Sequence, residues 1–304
     1  MKHIRIYLLL IGVMVAWGVN VPILKILVSY FPPVTITSLR IFTAGLSVFI
    51  IMAALKKIRK PSLGEWKFII IGCLLNIVGH HFFLAIGLTS TTATNGGLIL
   101  GTGPLLTAIL SSVFLRNMPT VIQVLGFIFG SAGVSFIVLS GEKGLSGLSI
   151  GDFYVFLSIL SQALSFILIS KAAKTLDPRL LTGYMLIIGS ILLFFIGLWQ
   201  EPNGIEGIFH APLILWVAFF SSAIIATALG HMVYNSAIKK IGPAEASIFM
   251  NLSTFFSLIG SAVLLNEEIT PVHLFGLMLI VSGVIFGSGA LEELIKKRRR
   301  RGLV

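Results

Sequence analysis

Charge is scarce in this chain. Only 11% of its 304 residues are Asp, Glu, Lys or Arg, against about 25% in a soluble globular domain. Too little polar surface is left to cover a water-soluble particle of this size, which excludes the soluble classes and makes the chain an integral membrane protein. Long polar segments are missing too: no connection is long enough to fold as a catalytic head or a nucleotide-binding domain. A single cysteine, Cys73, rules out an internal disulfide framework and a thiolate metal cluster. It lies in an apolar run and reads as buried filler. A cleavable leader is not indicated, because the basic start MKHIR passes straight into an apolar run with no small-residue cleavage site.

Apolar runs of spanning length are abundant. Crossing a bilayer core takes about 20 apolar residues, and ten segments meet that need: 4–28, 34–55, 67–88, 92–115, 121–140, 150–172, 179–199, 212–237, 243–265 and 271–291. Orientation follows from the basic residues, which accumulate on the cytoplasmic side. With the N-terminus inside, 19 of the 22 Lys and Arg residues fall inside, Lys143 falls outside, and Lys25 and Arg40 fall within spans. Both termini are therefore expected in the cytoplasm. The net charge of +11 is a topology signal facing anionic lipid. The tail KKRRRRGLV reads as an anchor of that topology, and no nucleic-acid partner is expected.

The chain repeats itself. Shifted by about 150 residues, LRNMPTVIQVLG (115–126) lies over LNEEITPVHLFG (265–276), and SAGVSF (131–136) over VSGVIF (281–286). Five spans per copy is an odd number, so the second copy enters the membrane upside down. The expected fold is all-α, with a first five-helix repeat over 1–140, an outside linker at 141–149, a second, inverted repeat over 150–291 and a basic cytoplasmic tail at 292–304. Inverted repeats are the architecture of secondary transporters, with substrate bound near mid-bilayer between the repeats.

Three stretches carry a family resemblance: VAWGVNVP (15–22), ITSLRIFTAGL (36–46) with its buried arginine, and the hairpin LAIGLTSTTATNGGLILGTGPLLTAILSSVFL (84–115) leading into GFIFGSAGV (126–134). With the ten-span layout, the chain resembles the drug/metabolite transporter superfamily, EamA branch. The resemblance implies export of a small metabolite, an amino acid or a related amphipathic compound, across a bacterial cytoplasmic membrane. It implies neither a cofactor nor catalysis. A multidrug or quaternary-cation exporter is the alternative, and a histidine-dependent membrane enzyme a remoter one. Whether the chain acts as a monomer or a homodimer stays open.

A polar group in hydrocarbon is costly, and an ionisable one marks a functional site by default. His231, Tyr234 and Asn235, spaced i, i+3 and i+4, share one helix face and should point inward. Trp17 and Asn20 should face them from the first span. His81 aligns with His231 at the 150-residue shift, but a one-residue change of register would pair His80 instead. Asn95, Gln162 and Asn251 complete the expected substrate-binding set. The imidazoles either line the cavity, where they could hold substrate or a coupled proton, or bond to a neighbouring helix. A metal is disfavoured: no Asp, Glu or Cys completes a ligand set, and the two histidine positions differ in expected depth. Arg40 is expected to bond backbone carbonyls or draw an anion into the outer vestibule, and Glu245 to cap a helix at the cytoplasmic interface. Gly101, Gly103 and Pro104 form an expected hinge in the fourth span, with no counterpart in the ninth.

Overall fold

The computed structural model describes residues 4–90, 99–116, 118–139, 149–206, 211–265, 271–289 and 291–292. Among these, every regular element is helical. We number the helical rods in chain order: α1 (Ile4–Tyr30), α2 (Pro33–Ala54), α3, α4 (Gly103–Leu115), α5 (Val121–Leu139), α6 (Ile150–Ala172), α7 (Pro178–Gln200), α8, α9 and α10 (Pro271–Gly287). Rod α3 has three parts: α-helical Leu63–Gly72, a π-helical stretch Cys73–Gly79, and α-helical His80–Thr89. Rod α8 is built the same way from Leu213–Phe220, the π-helical Ser221–Leu229 and Gly230–Ile241. Rod α9 comprises Pro243–Ser247 and Met250–Leu265.

Local chemistry sets these boundaries. Proline opens α2, α7 and α9 within the first turn, where its missing N–H costs nothing. Ser62 with Glu65, and Ser149 with Asp152, form capping boxes at the starts of α3 and α6. Gly242 turns α8 into α9 with φ of +93°, a conformation open to glycine and strained for L side chains.

Among the described residues, six helices are long and apolar enough to cross a membrane by length and composition: 4–30, 33–54, 63–87, 150–172, 178–200 and 213–241. Shorter apolar helices cover Ile99–Leu115, Val121–Phe136 and Pro271–Gly287. The exterior is oily, with Leu8, Ile50, Val113, Phe195, Ile214 and Met278 all at least 60% exposed. A surface this apolar is a lipid-facing one.

The rods pair in an ordered way. The principal neighbours are α5 with α10, α2 with α7, α1 with α9, α4 with α6, α3 with α6, α1 with α8, and the two π stretches with α7 and α2 respectively. Exchanging each rod for the one five places along leaves this set unchanged. A Cβ on Gly45 would meet Ile187, one on Gly183 would meet Val48, and one on Gly197 would meet Thr35, so α2 and α7 run antiparallel. Both ends of that pair are tied. At one end the Glu201 carboxylate accepts from the Val34 and Thr35 amides at 3.0 and 2.8 Å and from the Thr35 hydroxyl at 2.7 Å. At the other, Arg59 donates to the Thr175 carbonyl at 3.1 Å, and the Tyr184 hydroxyl donates to the Arg59 carbonyl at 3.1 Å.

Rods α5 and α10 are also antiparallel and pack backbone on backbone. Gly126 faces Gly283 and Gly287, while Gly133 faces the Gly276 carbonyl. Without water to drive helices together, small residues that allow close approach are what hold such a seam. We predict that Gly126→Ala lowers the stability of the detergent-solubilised protein by about 3 kcal/mol, the upper end for overpacking, because its methyl meets the Gly287 backbone. Gly12→Ala, with nothing within 4 Å, should leave the thermal midpoint unchanged or slightly raised. Equal effects of the two substitutions would show that the seam is not close-packed.

Candidate functional site

Each π stretch shifts backbone hydrogen bonding by one residue. The His80 amide bonds the Leu75 carbonyl, and the Gly230 amide bonds the Ile225 carbonyl. An α-helix would have used Asn76 and Ala226. The Ala226 carbonyl is thereby released, and the Trp17 indole donates to it at 2.8 Å. Gly230 makes the approach possible, since a Cβ there would come within 2.5 Å of Trp17 Nε1. The two shifted bonds start at residues 80 and 230 and so lie 150 apart. This register pairs His81 with His231 and sets His80 opposite Gly230.

Aromatic rings gather at that point. Trp17 lies 5.2 Å from the His231 ring and 5.0 Å from Tyr234, which lies 5.0 Å from Phe166 on its other side. Tyr234 and Asn235 are fully buried, and His231 is 6% exposed. The shared face read from the spacing i, i+3, i+4 therefore points into the protein, while Ile225 and Leu229 point outward. Asn235 donates to the Thr182 hydroxyl at 2.8 Å, but its Oδ1 and the Tyr234 hydroxyl find no partner. One turn from Trp17, Asn20 is buried with Oδ1 unpartnered.

The two adjacent histidines divide the roles that the sequence left open. His80 is 7% exposed and bonded through both nitrogens: Nδ1 lies 2.8 Å from Ser158 Oγ, and Nε2 lies 3.0 Å from Gln162 Nε2. Ser158 also donates to the His80 carbonyl at 2.9 Å. Asn76 supports the same α3–α6 seam by donating to Ser165 at 2.7 Å. His80 is thus a helix-packing histidine. His81 is the one whose Nε2 has no partner.

Arg40, 3% exposed, sits deeper than an outer-vestibule residue. Its Nη1 donates to the Thr227 hydroxyl at 2.5 Å and to Ser222 at 3.4 Å, so side-chain hydroxyls rather than backbone carbonyls receive it. It lies close enough to His80, His81 and His231 to act on each electrostatically. The hydroxyls of Ser158, Ser165, Thr182, Ser222 and Thr227 complete this polar centre. Serine and threonine are too common in apolar helices to stand out, and a pair five residues apart, such as Ser222 and Thr227, shares a partner only across a π turn. Among the described residues no group of three or more His, Cys, Asp or Glu converges.

Asn251 is placed on α9. It is 1% exposed, neither amide atom has a partner, and it packs against Gly130 of α5. Asn95 and the Lys25 side chain lie outside the described residues. Gly101 and Gly103 pack against Val134 and Ile159 beside the centre. The helix is interrupted at Thr102, whose amide bonds Ile99 three residues back, next to Pro104. The interruption is not confined to that span. Rod α9 is interrupted at Ile248–Phe249, where the Phe249 and Asn251 amides also reach back three residues. Tightened i→i+3 turns do there what proline does in the fourth span. At the start of α9, the Gln123 amide donates to Glu245 Oε1 at 3.3 Å, in keeping with a helix-end role.

The sequence pattern of the EamA-like transporter family matches residues 4–139 and 149–288. The chain belongs to the EamA-like transporter family. Among its relatives is "Uncharacterized transporter YyaM" of Bacillus subtilis (strain 168), 31% identical over 298 residues covering 96% of each chain. Another, YvbV of the same organism, is 30% identical and covers 92% of this chain and 90% of that one. A chloroplastic WAT1-related protein of Arabidopsis thaliana is 24% identical over 86% of this chain and 64% of that one. A solved crystal structure superposes with a TM-score of 0.82 at 15% identity, covering 95% of this chain and 98% of that one, which supports the fold alone.

The division between the histidines is testable by thermal unfolding. His80→Ala removes bonds to Ser158 and Gln162 and should cost about 2–3 kcal/mol. His81→Ala should cost clearly less. The reverse order would make His81 the packing residue.

Proposed function

We propose that the protein is a ten-span secondary transporter that moves a small amphipathic metabolite, an amino acid or a related compound, outward across a bacterial cytoplasmic membrane by alternating access. One observation carries this reading. Two π-helical turns, 150 residues apart in a pairing scheme that survives exchange of the two halves, open the backbone at one polar centre. Non-α backbone at membrane depth is tolerated where protein or a cavity satisfies it, and transporters bind their substrates at such interruptions between repeats.

In this reading the two copies are residues 1–140 and 150–291, inverted about the membrane plane, with both termini in the cytoplasm. The match of the family pattern to two successive segments and the antiparallel α2–α7 and α5–α10 pairs support it. The α2–α7 pair, clamped at both ends, moves as a unit. The interruptions at Thr102 and Ile248–Phe249 give α4 and α9 matching places to bend. Substrate lies among Trp17, Asn20, His81, His231, Tyr234 and Asn235, and a coupled proton travels on the imidazoles of His81 and His231. Outward direction and the amino-acid class rest on the family resemblance. A quaternary-cation exporter would want a carboxylate at the centre, and none of the described acids reaches it.

Transport in proteoliposomes with a labelled amino-acid panel, with and without a pH gradient, tests the proposal. Asn235→Ala should lower the initial rate at least about tenfold while costing only about 1 kcal/mol of stability, one lost hydrogen bond. Single cysteines at Ile58 and Asn203, in a Cys73→Ser background, should react with an impermeant thiol reagent from opposite faces of sealed vesicles. Reaction of both from one face rules out the ten-span inverted layout.

A further inference from the structure

Arg40 is a permanent cation, and among the described residues no acid pairs with it. The ion pairs formed among the described residues are Arg59–Glu65 and Arg179–Asp177. Of the described acids, Glu65, Asp152, Asp177, Glu201 and Glu245 sit at helix ends, Glu206 in the turn after α7, and Glu292 beside Thr120. Two hydroxyls on one nitrogen do not neutralise a guanidinium, so its desolvation stays uncompensated within the chain. The engaged nitrogen is Nη1. Nε is buried without a partner, and Nη2 makes no hydrogen bond. That free Nε–Nη2 edge is the side of an arginine fork that takes a carboxylate in two parallel bonds.

The packing does not demand a charge here. Thr227 on the α8 π stretch corresponds, at the 150-residue shift, to Ile77 on the α3 π stretch. Opposite Ile77, rod α7 presents Gly189, whose Cβ would touch the isoleucine. At the same shift Arg40 corresponds to Ser190, next to Gly189, so the α7 crossing of a π stretch is made without a charge and the α2 crossing with one. The arginine is surplus to the architecture.

We infer that Arg40 binds a carboxylate of the transported compound through its Nε–Nη2 edge, and that the apolar body of this compound lies against Trp17 and His231. The inference rests on the transporter reading above. Proximity supports it: Arg40 holds Thr227 while Trp17 holds the adjoining Ala226. A cation would meet repulsion.

The test uses the full chain in nanodiscs with propionate, benzoate, phenylacetate and indole-3-acetate, each beside its primary amide. Thermal midpoints titrated against concentration give affinities. A carboxylate should bind more tightly than its amide, Arg40→Gln should weaken it about 10- to 100-fold, the worth of a charged hydrogen-bonded contact, and Arg40→Lys should recover part of the loss. Without ligand, Arg40→Leu should melt at or above the wild-type midpoint, because an unanswered charge has gone. The inference is overturned if no carboxylate outperforms its amide, if binding survives Arg40→Gln, or if the ligand-free midpoint collapses in both the Leu and Gln variants. Acid and amide acting alike, with both responses lost in Tyr234→Ala, keeps the central site and removes only the charge class. Responses that survive Tyr234→Ala remove the site itself.

Discussion

A polar group carried into hydrocarbon must find its partner inside the chain, and the centre of this protein is organised by that constraint. Each π turn withdraws one carbonyl from the backbone ladder. On α8 the released carbonyl belongs to Ala226, and the Trp17 indole from α1 takes it. On α3 the same shift lies beside a seam of side-chain bonds to α6, through Asn76, His80, Ser158 and Gln162. The irregular backbone and the polar side chains are thus one feature: each exists because the other satisfies part of it. What remains unpartnered, on Asn20, His81, Tyr234 and Asn235, faces the same region.

The all-helical, membrane-embedded character was legible in the sequence because it rests on long-range averages. Scarcity of charge and runs of spanning length need no single residue to be read correctly. The inward face of His231, Tyr234 and Asn235 was legible because α-helical spacing holds from Gly230 onward. The π turns were not, since nothing in CLLNIVG or SSAIIATAL departs from an ordinary apolar helix. Missing them left the choice between His80 and His81 open and hid the Ser222–Thr227 pair that receives Arg40. Arg40 looked peripheral when its depth was counted from the start of its own span, yet it is tied to the middle of α8. Asn251 is buried with both amide atoms unpartnered, against Gly130.

The two halves share a plan but not a composition. Ser190 and Ile77 in one half stand where Arg40 and Thr227 stand in the other, and His80 stands where Gly230 makes room for an indole. In the proposed transport reading, similar scaffolds supply the two conformations of similar energy that alternating access needs, and unequal side chains at their meeting point make one asymmetric site. Clamps at both ends of α2–α7 and the glycine seam of α5–α10 preserve the scaffold, and the interruptions in α4 and α9 leave the flanking rods free to bend.

The account stands on the centre being reachable from each face of the membrane in turn. A single cysteine at position 81, in a Cys73→Ser background, reports this directly in sealed right-side-out and inside-out vesicles exposed to an impermeant thiol reagent. The account predicts labelling in both preparations. Labelling from one face alone, or from neither, would contradict it.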